Sequence, residues 1–327
     1  MRADGIGTRG TLIAACAALV LTTACTAGST DEASSVGAAG KPTVRVALGV
    51  DASYAPFYLA KERGMFDEAG VHVELVQTEG GPAAAQAVTA GTAQMSANAD
   101  STALPLMATS PGLRALGVFQ SSDRYLKVVL RDGVDSPRQI RTMASIQGLG
   151  LYATHSYLRH HGIDPKAVKI VQSSPPEIPG MLERGSIDGY ILFEPWAAKG
   201  AAAGGHIAGR IGDFGVRYVQ WLLADRSWLK DNEDVAGKIF KVVAEADRLV
   251  GEDPTAAAKA ANEQVKLPVD QTAKVLPEIT FASRGINDSD VAESRKIVDF
   301  LLTQKLIKKS PTLDTTLLKG WYEQHAR

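Results

Sequence analysis

Two stretches of this chain follow one plan, strand–helix–strand–helix–strand, and every helix in that plan stops at a glycine. In the first, Val44–Leu48 alternates and reads as a strand, a helix from about Phe57 to Arg63 ends at Gly64, and Val71–Val76 is a second strand. Pro82 opens a helix through Ala90 that ends at Gly91, and Gln94–Ala97 makes a third strand. The second pass starts near Met143, with a helix from about Leu149 to His161 ended by Gly162 and a strand over Val168–Val171. Pro175–Arg184 is then a helix ended by Gly185, and Ile187–Phe193 a strand. Glycine suits the helix ends because it enters the left-handed region without steric cost. Strands alternating with helices predict two α/β halves, each with a parallel sheet.

Two further coincidences support the duplication. Asp100 lies nine residues beyond Gly91, and Glu194 nine beyond Gly185. Both acids should therefore follow a third strand, at the sheet edge where open α/β folds bind ligands. Arg124–Asp132 and Arg217–Asp225 each begin Arg-Tyr and carry Asp eight residues after the Arg. One leads into the second half and the other out of it, so they read as paired strands forming a hinge. After Ala224 the chain turns to amphipathic helices, about Val235–Val250, Thr255–Gln264, Ser289–Leu306 and Leu313–Glu323, expected to pack back on the first half. The expected organisation is lobe I over 42–127 and 220–327, and lobe II over 128–219.

The first 41 residues carry a different message. Arg2 and Arg9 precede an apolar run, Thr11–Leu21, too short to span a bilayer, and Thr22-Thr23-Ala24 supply small residues before Cys25. This predicts a signal peptide over 1–24. The cysteine after small residues resembles the lipobox of bacterial lipoproteins, which implies lipidation of Cys25, although Leu21 stands four residues before it where three is usual. The alternative is a plain signal peptide. Thr26–Lys41 is rich in Gly, Ser and Ala and reads as a flexible tether, so residues 25–41 form a lipid-anchored leash. Cys16 and Cys25 are the only cysteines, which leaves the rest of the chain without disulfides, thiol nucleophiles or Cys-based metal sites. With 35 basic and 36 acidic residues, the charge balance predicts no nucleic-acid partner.

Tyr54-Ala55-Pro56-Phe57-Tyr58-Leu59-Ala60-Lys61-Glu62-Arg63-Gly64-Met65-Phe66 with Gly70-Val71 resembles the opening of the solute-binding proteins for nitrate, sulfonates, taurine and thiamine-pyrimidine precursors. Gly185-Ser186-Ile187-Asp188-Gly189 with Glu194-Pro195-Trp196 is similar to their second-lobe segment. The resemblance runs from about Val44 to the C-terminus. It implies a two-lobed α/β periplasmic-binding-protein type II fold with two hinge crossovers. It also implies an ABC transporter permease as partner. The export signal and lipid anchor place the protein on the outer face of the bacterial cytoplasmic membrane, and a monomer without cofactor is expected. Arg138–Met143 lacks the Gly-Lys usual at the start of lobe II, which leaves that strand's register open.

Ligand contacts should come from loops after strands on both lobes. Lobe I offers Ser53, Tyr54 and Phe57 after strand one, and Asn98, Asp100 and Ser101 after strand three. Lobe II offers Gln147, Gly148 and Leu149 before a helix, where free amides favour an anionic group, and Glu194 and Trp196 after its last strand. Tyr218 and Trp221 on the return crossover would floor the cleft. Asp100 and Glu194 would repel bare nitrate but suit a ligand with N–H donors. His155, His160 and His161 read as a solvated helix end rather than a metal site. The competing reading is an enzyme on the same scaffold, similar to thiamine-pyrimidine synthases or menaquinone-pathway lyases, which would be cytosolic.

Overall fold

The computed structural model describes residues 40–327. The signal-peptide and Cys25 readings fall outside the described residues. Among the described residues no helix is long and apolar enough to cross a membrane.

The chain opens with β1 (Thr43–Leu48), α1 (Ala55–Glu62), α2 (Met65–Glu68), β2 (His72–Gln77), α3 (Gly81–Thr89) and β3 (Met95–Ala99). Next come α4 (Asp100–Thr109) and β4 (Leu113–Ser122), and a crossover leads to β5 (Lys127–Arg131). The second half runs β6 (Thr142–Ser145), α5 (Leu149–His160), β7 (Lys169–Gln172), α6 (Ile178–Glu183), β8 (Gly189–Leu192), α7 (Trp196–Ala202) and β9 (Gly205–Arg210). The chain returns through β10 (Tyr218–Asp225) to α8 (Arg226–Asp231), α9 (Glu233–Glu252), α10 (Pro254–Val265) and α11 (Val269–Val275). It ends with β11 (Thr280–Arg284), α12 (Asp288–Thr303), α13 (Leu313–Thr316) and α14 (Trp321–His325). Gly64, Gly91, Gly162 and Gly185 all have positive φ, between 67° and 74°, as helix-ending glycines require.

Two sheets result, ordered β11-β4-β10-β3-β1-β2 and β7-β6-β8-β5-β9. In the first, β1 lies parallel between β2 and β3; in the second, β6 lies parallel between β7 and β8. The register of β6, open in the sequence, pairs Met143 with Ile170 and Gly189. Beside each third strand runs one antiparallel strand, β10 against β3 and β5 against β8. Here the structure corrects the sequence reading. The two Arg-Tyr segments do not pair with each other; each enters a different sheet, in the same topological slot. Their likeness reflects that shared slot, and the crossovers themselves are the short stretches 123–126 and 211–217.

The C-terminal helices cover the six-stranded sheet. α9 turns Ala236, Ile239, Phe240, Val243, Ala246 and Val250 inward, a helical spacing that makes one apolar stripe. Burying a side chain such as Phe240 in this way stabilises the fold by about 1.5–3 kcal/mol. The helix expected over Leu313–Glu323 is split, because Leu317 pairs with Ala115 beside the sheet and Gly320 turns at φ 83°.

Candidate functional site

The six parallel strands all point their carboxyl ends at one cavity of about 190 Å³. Asp51 and Tyr54 follow β1, Glu79 to Pro82 follow β2, and Ala99 and Thr102 lie at the β3–α4 junction. From the other sheet, Ile146, Gln147 and Leu149 follow β6, Ser173 and Pro175 follow β7, and Phe193 follows β8. Leu126 comes from the first crossover, and Tyr218 opens β10 just after the second. Engineered apolar cavities of about 150 Å³ hold benzene, so this one admits a molecule of roughly a single ring with a substituent.

The α5 start closes one side of the cavity. Gly148 sits at φ 70°, and a Cβ built there would lie 2.7 Å from the Thr102 hydroxyl. Only glycine lets α5 come so near α4. Further along α5, the Tyr152 hydroxyl donates to Glu293 of α12 at 3.0 Å, and Tyr152 and His155 both meet the Phe300 ring edge-on.

A second set of contacts surrounds the crossovers. The ring of Tyr125 stacks on Phe193 and on Tyr218, each with centroids 5.9 Å apart. The Tyr125 hydroxyl donates to Asp51 Oδ1 at 3.2 Å, and the Ser53 amide donates to the same oxygen at 2.7 Å. Gln220 Nε2 donates to Ser53 Oγ at 2.6 Å and to the Tyr218 hydroxyl, so a buried polar net underlies the cavity floor. Burial pushes the Asp51 carboxyl above its usual range and holds Tyr125 and Tyr218 neutral.

The sequence-selected residues separate into three groups. Tyr54, Gln147, Leu149 and Tyr218 line the cavity, with Gly148 at its edge. Ser53 and Asn98 stand behind the wall: Ser53 positions Tyr218, and the Asn98 amide donates to the Gly81 carbonyl of a lining loop. The remainder do not reach it. Phe57 is wholly buried, edge-on to Phe119 at 5.2 Å, as a core residue. Trp221 is buried on the opposite face of β10 from Tyr218, because residues three apart on a strand point to opposite sides. Trp196 starts α7 and packs in the five-stranded half, its ring under Lys199 at 4.3 Å.

The two acids take internal partners instead of facing the cavity. Glu194 accepts from Lys127 at 2.7 Å and from the Ala198 amide, and Lys127 also reaches Glu278 at 2.9 Å. Asp100 turns its Oδ1 to the Ser101 amide at 2.5 Å, and the Ser101 hydroxyl is buried without a partner. Burial, with Glu293 and Asp290 nearby, pushes the Asp100 carboxyl up to about 7. Sequence reasoning missed Asp51, the Glu79–Pro82 and Ser173–Pro175 loops, and Phe193. The rule that ligands meet strand carboxyl ends, applied to the second strand of each half, finds both loops. Among the described residues no group of three or more His, Cys, Asp or Glu is placed to hold a metal.

Residues 51–257 match the family described as NMT1/THI5 like. No protein of curated function matches the sequence. Among solved structures, the periplasmic aliphatic sulphonate-binding protein SsuA from Escherichia coli superposes with TM-score 0.76 at 15% identity, covering 85% of this chain and 92% of that one. The alkanesulfonate-binding protein SsuA from Xanthomonas axonopodis gives 0.72 at 15%, covering 84% and 98%. The periplasmic nitrate-binding protein NrtA from Synechocystis gives 0.66 at 13%, covering 87% and 86%. The shared architecture is the two-lobed periplasmic-binding-protein fold.

Proposed function

The chain belongs to the NMT1/THI5-like family, and from that premise we propose that it is the solute-binding component of an ABC importer. One observation carries the reading: one cavity is walled by the carboxyl ends of strands from both sheets, by Leu126 of the first crossover and by Tyr218 where the second enters β10. Rotation about the crossovers 123–126 and 211–217 would admit a solute, and approach of α5 to α4 would enclose it. Lobe I is then 42–122 with 218–327, and lobe II 127–210, joined by the two crossovers. Tyr54, Gln147, Gly148, Leu149 and Tyr218 contact the solute, while Ser53 and Asn98 hold the wall in place. The solute is a small nitrogen- or sulfur-bearing organic compound, of the taurine, sulfonate or aminopyrimidine kind. The protein works as an exported monomer, anchored by a lipid on Cys25, beside its permease.

A thermal-shift screen against taurine, alkanesulfonates, nitrate, aminopyrimidines and aromatic acids tests this. A true ligand at a hundred times its Kd adds about 2.7 kcal/mol of apparent stability. The bound compound should be recovered chemically unchanged after release. Conversion of the compound would favour an enzyme, and silence across the screen would remove the reading.

A further inference from the structure

We propose that the cavity takes its solute as a small one-ring organic cation, a protonated amine, amidine or ring nitrogen, with Asp51 as its counter-charge. This rests on the solute-capture reading and narrows it.

Charge around the cavity carries the argument. Asp51 and Glu79 line it, and among the described residues no Lys, Arg or His does. Asp51 is 7% exposed, and the donors that reach it are neutral, the Ser53 amide and the Tyr125 hydroxyl, both on Oδ1. Among the described residues no cation pairs with it. A carboxyl this deeply buried either takes a proton or keeps its charge against a cation, and the open side through which a cation would reach Asp51 is the cavity. The basic residues next in the chain to lining positions are engaged elsewhere: Lys127, beside Leu126, is held by two carboxylates, Glu194 and Glu278, and Arg217, beside Tyr218, donates to the Ser121 hydroxyl.

Helix N-termini act in the opposite sense, each with roughly half a positive charge. Those at the start of α4 and of the turn at Ala52–Tyr54 already hold Asp100 and Asp51 on their first amides. The starts of α3, α5, α6 and α7 also lie at this end of the sheets, but each offers only partial charge and none donates to Asp51. Tyr54, Phe193 and Tyr218 add aromatic wall, which attracts cations through the ring quadrupole.

The experiment uses four probes in thermal shift and calorimetry: benzamidine, benzyl alcohol, benzenesulfonate and nitrate. Benzamidine should raise Tm in a dose-dependent way, with benzyl alcohol weaker and the two anions inactive. Asp51→Asn keeps the Oδ1 acceptor and should weaken benzamidine at least ~10-fold, about 1.4 kcal/mol. Glu79→Gln, at the exposed rim, should weaken it less. Stabilisation by benzenesulfonate or nitrate beyond that by benzamidine, or unchanged benzamidine affinity in Asp51→Asn, overturns the charge assignment while solute capture stands. No stabilisation by any of the four overturns both.

Discussion

Asp100 shows how burial alone reshapes one residue. Its carboxyl is pushed up to about 7, against an ordinary value near 3.9 in the unfolded chain. A raised carboxyl pKa favours the folded state while the group is protonated. That contribution is complete below about pH 4 and is lost as pH rises through 7, a swing of at most roughly 4 kcal/mol. Asp100→Asn keeps an acceptor for the Ser101 amide and carries no charge. It should therefore be more stable than the parent at pH 8, with the difference vanishing near pH 4, as read by urea unfolding at both values. A variant that is weaker at pH 8 would contradict the assignment. The residue scale is also where the sequence was least legible. Asp51 gave no signal beyond one more acid near a turn, and its importance comes from Tyr125, 74 positions away, reaching its Oδ1. Asp100 and Glu194 sat where ligands bind, but which way a carboxylate turns depends on partners such as Lys127 that no local pattern names.

Elements were more legible, because period-two strands and glycine-stopped helices are local facts. The plan of β1 to β3 and β6 to β8 follows from them almost residue by residue. β4 escaped because Leu113–Ser122 is buried along nearly its whole length and shows no alternation. β9 escaped for the opposite reason: Gly205–Arg210 is a largely exposed edge strand with two glycines. Trp221 and Tyr218 were assigned to one cleft although strand parity forbids it, so a rule already in hand would have removed the Trp. Gly148 makes an element-scale prediction. Adding a methyl there places it against Thr102 and strains a left-handed residue, an overpacking cost of about 1–3 kcal/mol. Gly148→Ala should weaken solute binding by ~10-fold or more, with the empty protein's Tm lowered by only a few degrees. Unchanged affinity would mean that α5 and α4 need not meet when the site is occupied.

For the whole molecule, the duplicated halves are not identical. The first sheet has two strands, β4 and β11, outside its β10, and a covering of C-terminal helices, whereas the second has β9 alone. That asymmetry makes the six-stranded half the heavier body. The run of rings Phe193, Tyr125 and Tyr218 joins the two bodies across both crossovers. Two of those rings also belong to the cavity wall. Any swivel of one body on the other must shear the stacked tyrosines, and any guest in the cavity must touch the ends of the same stack. The protein therefore contains its own optical gauge. Near-ultraviolet circular dichroism from tyrosine should change on solute uptake, and Tyr125→Leu should mute that change while the far-ultraviolet spectrum stays as it was.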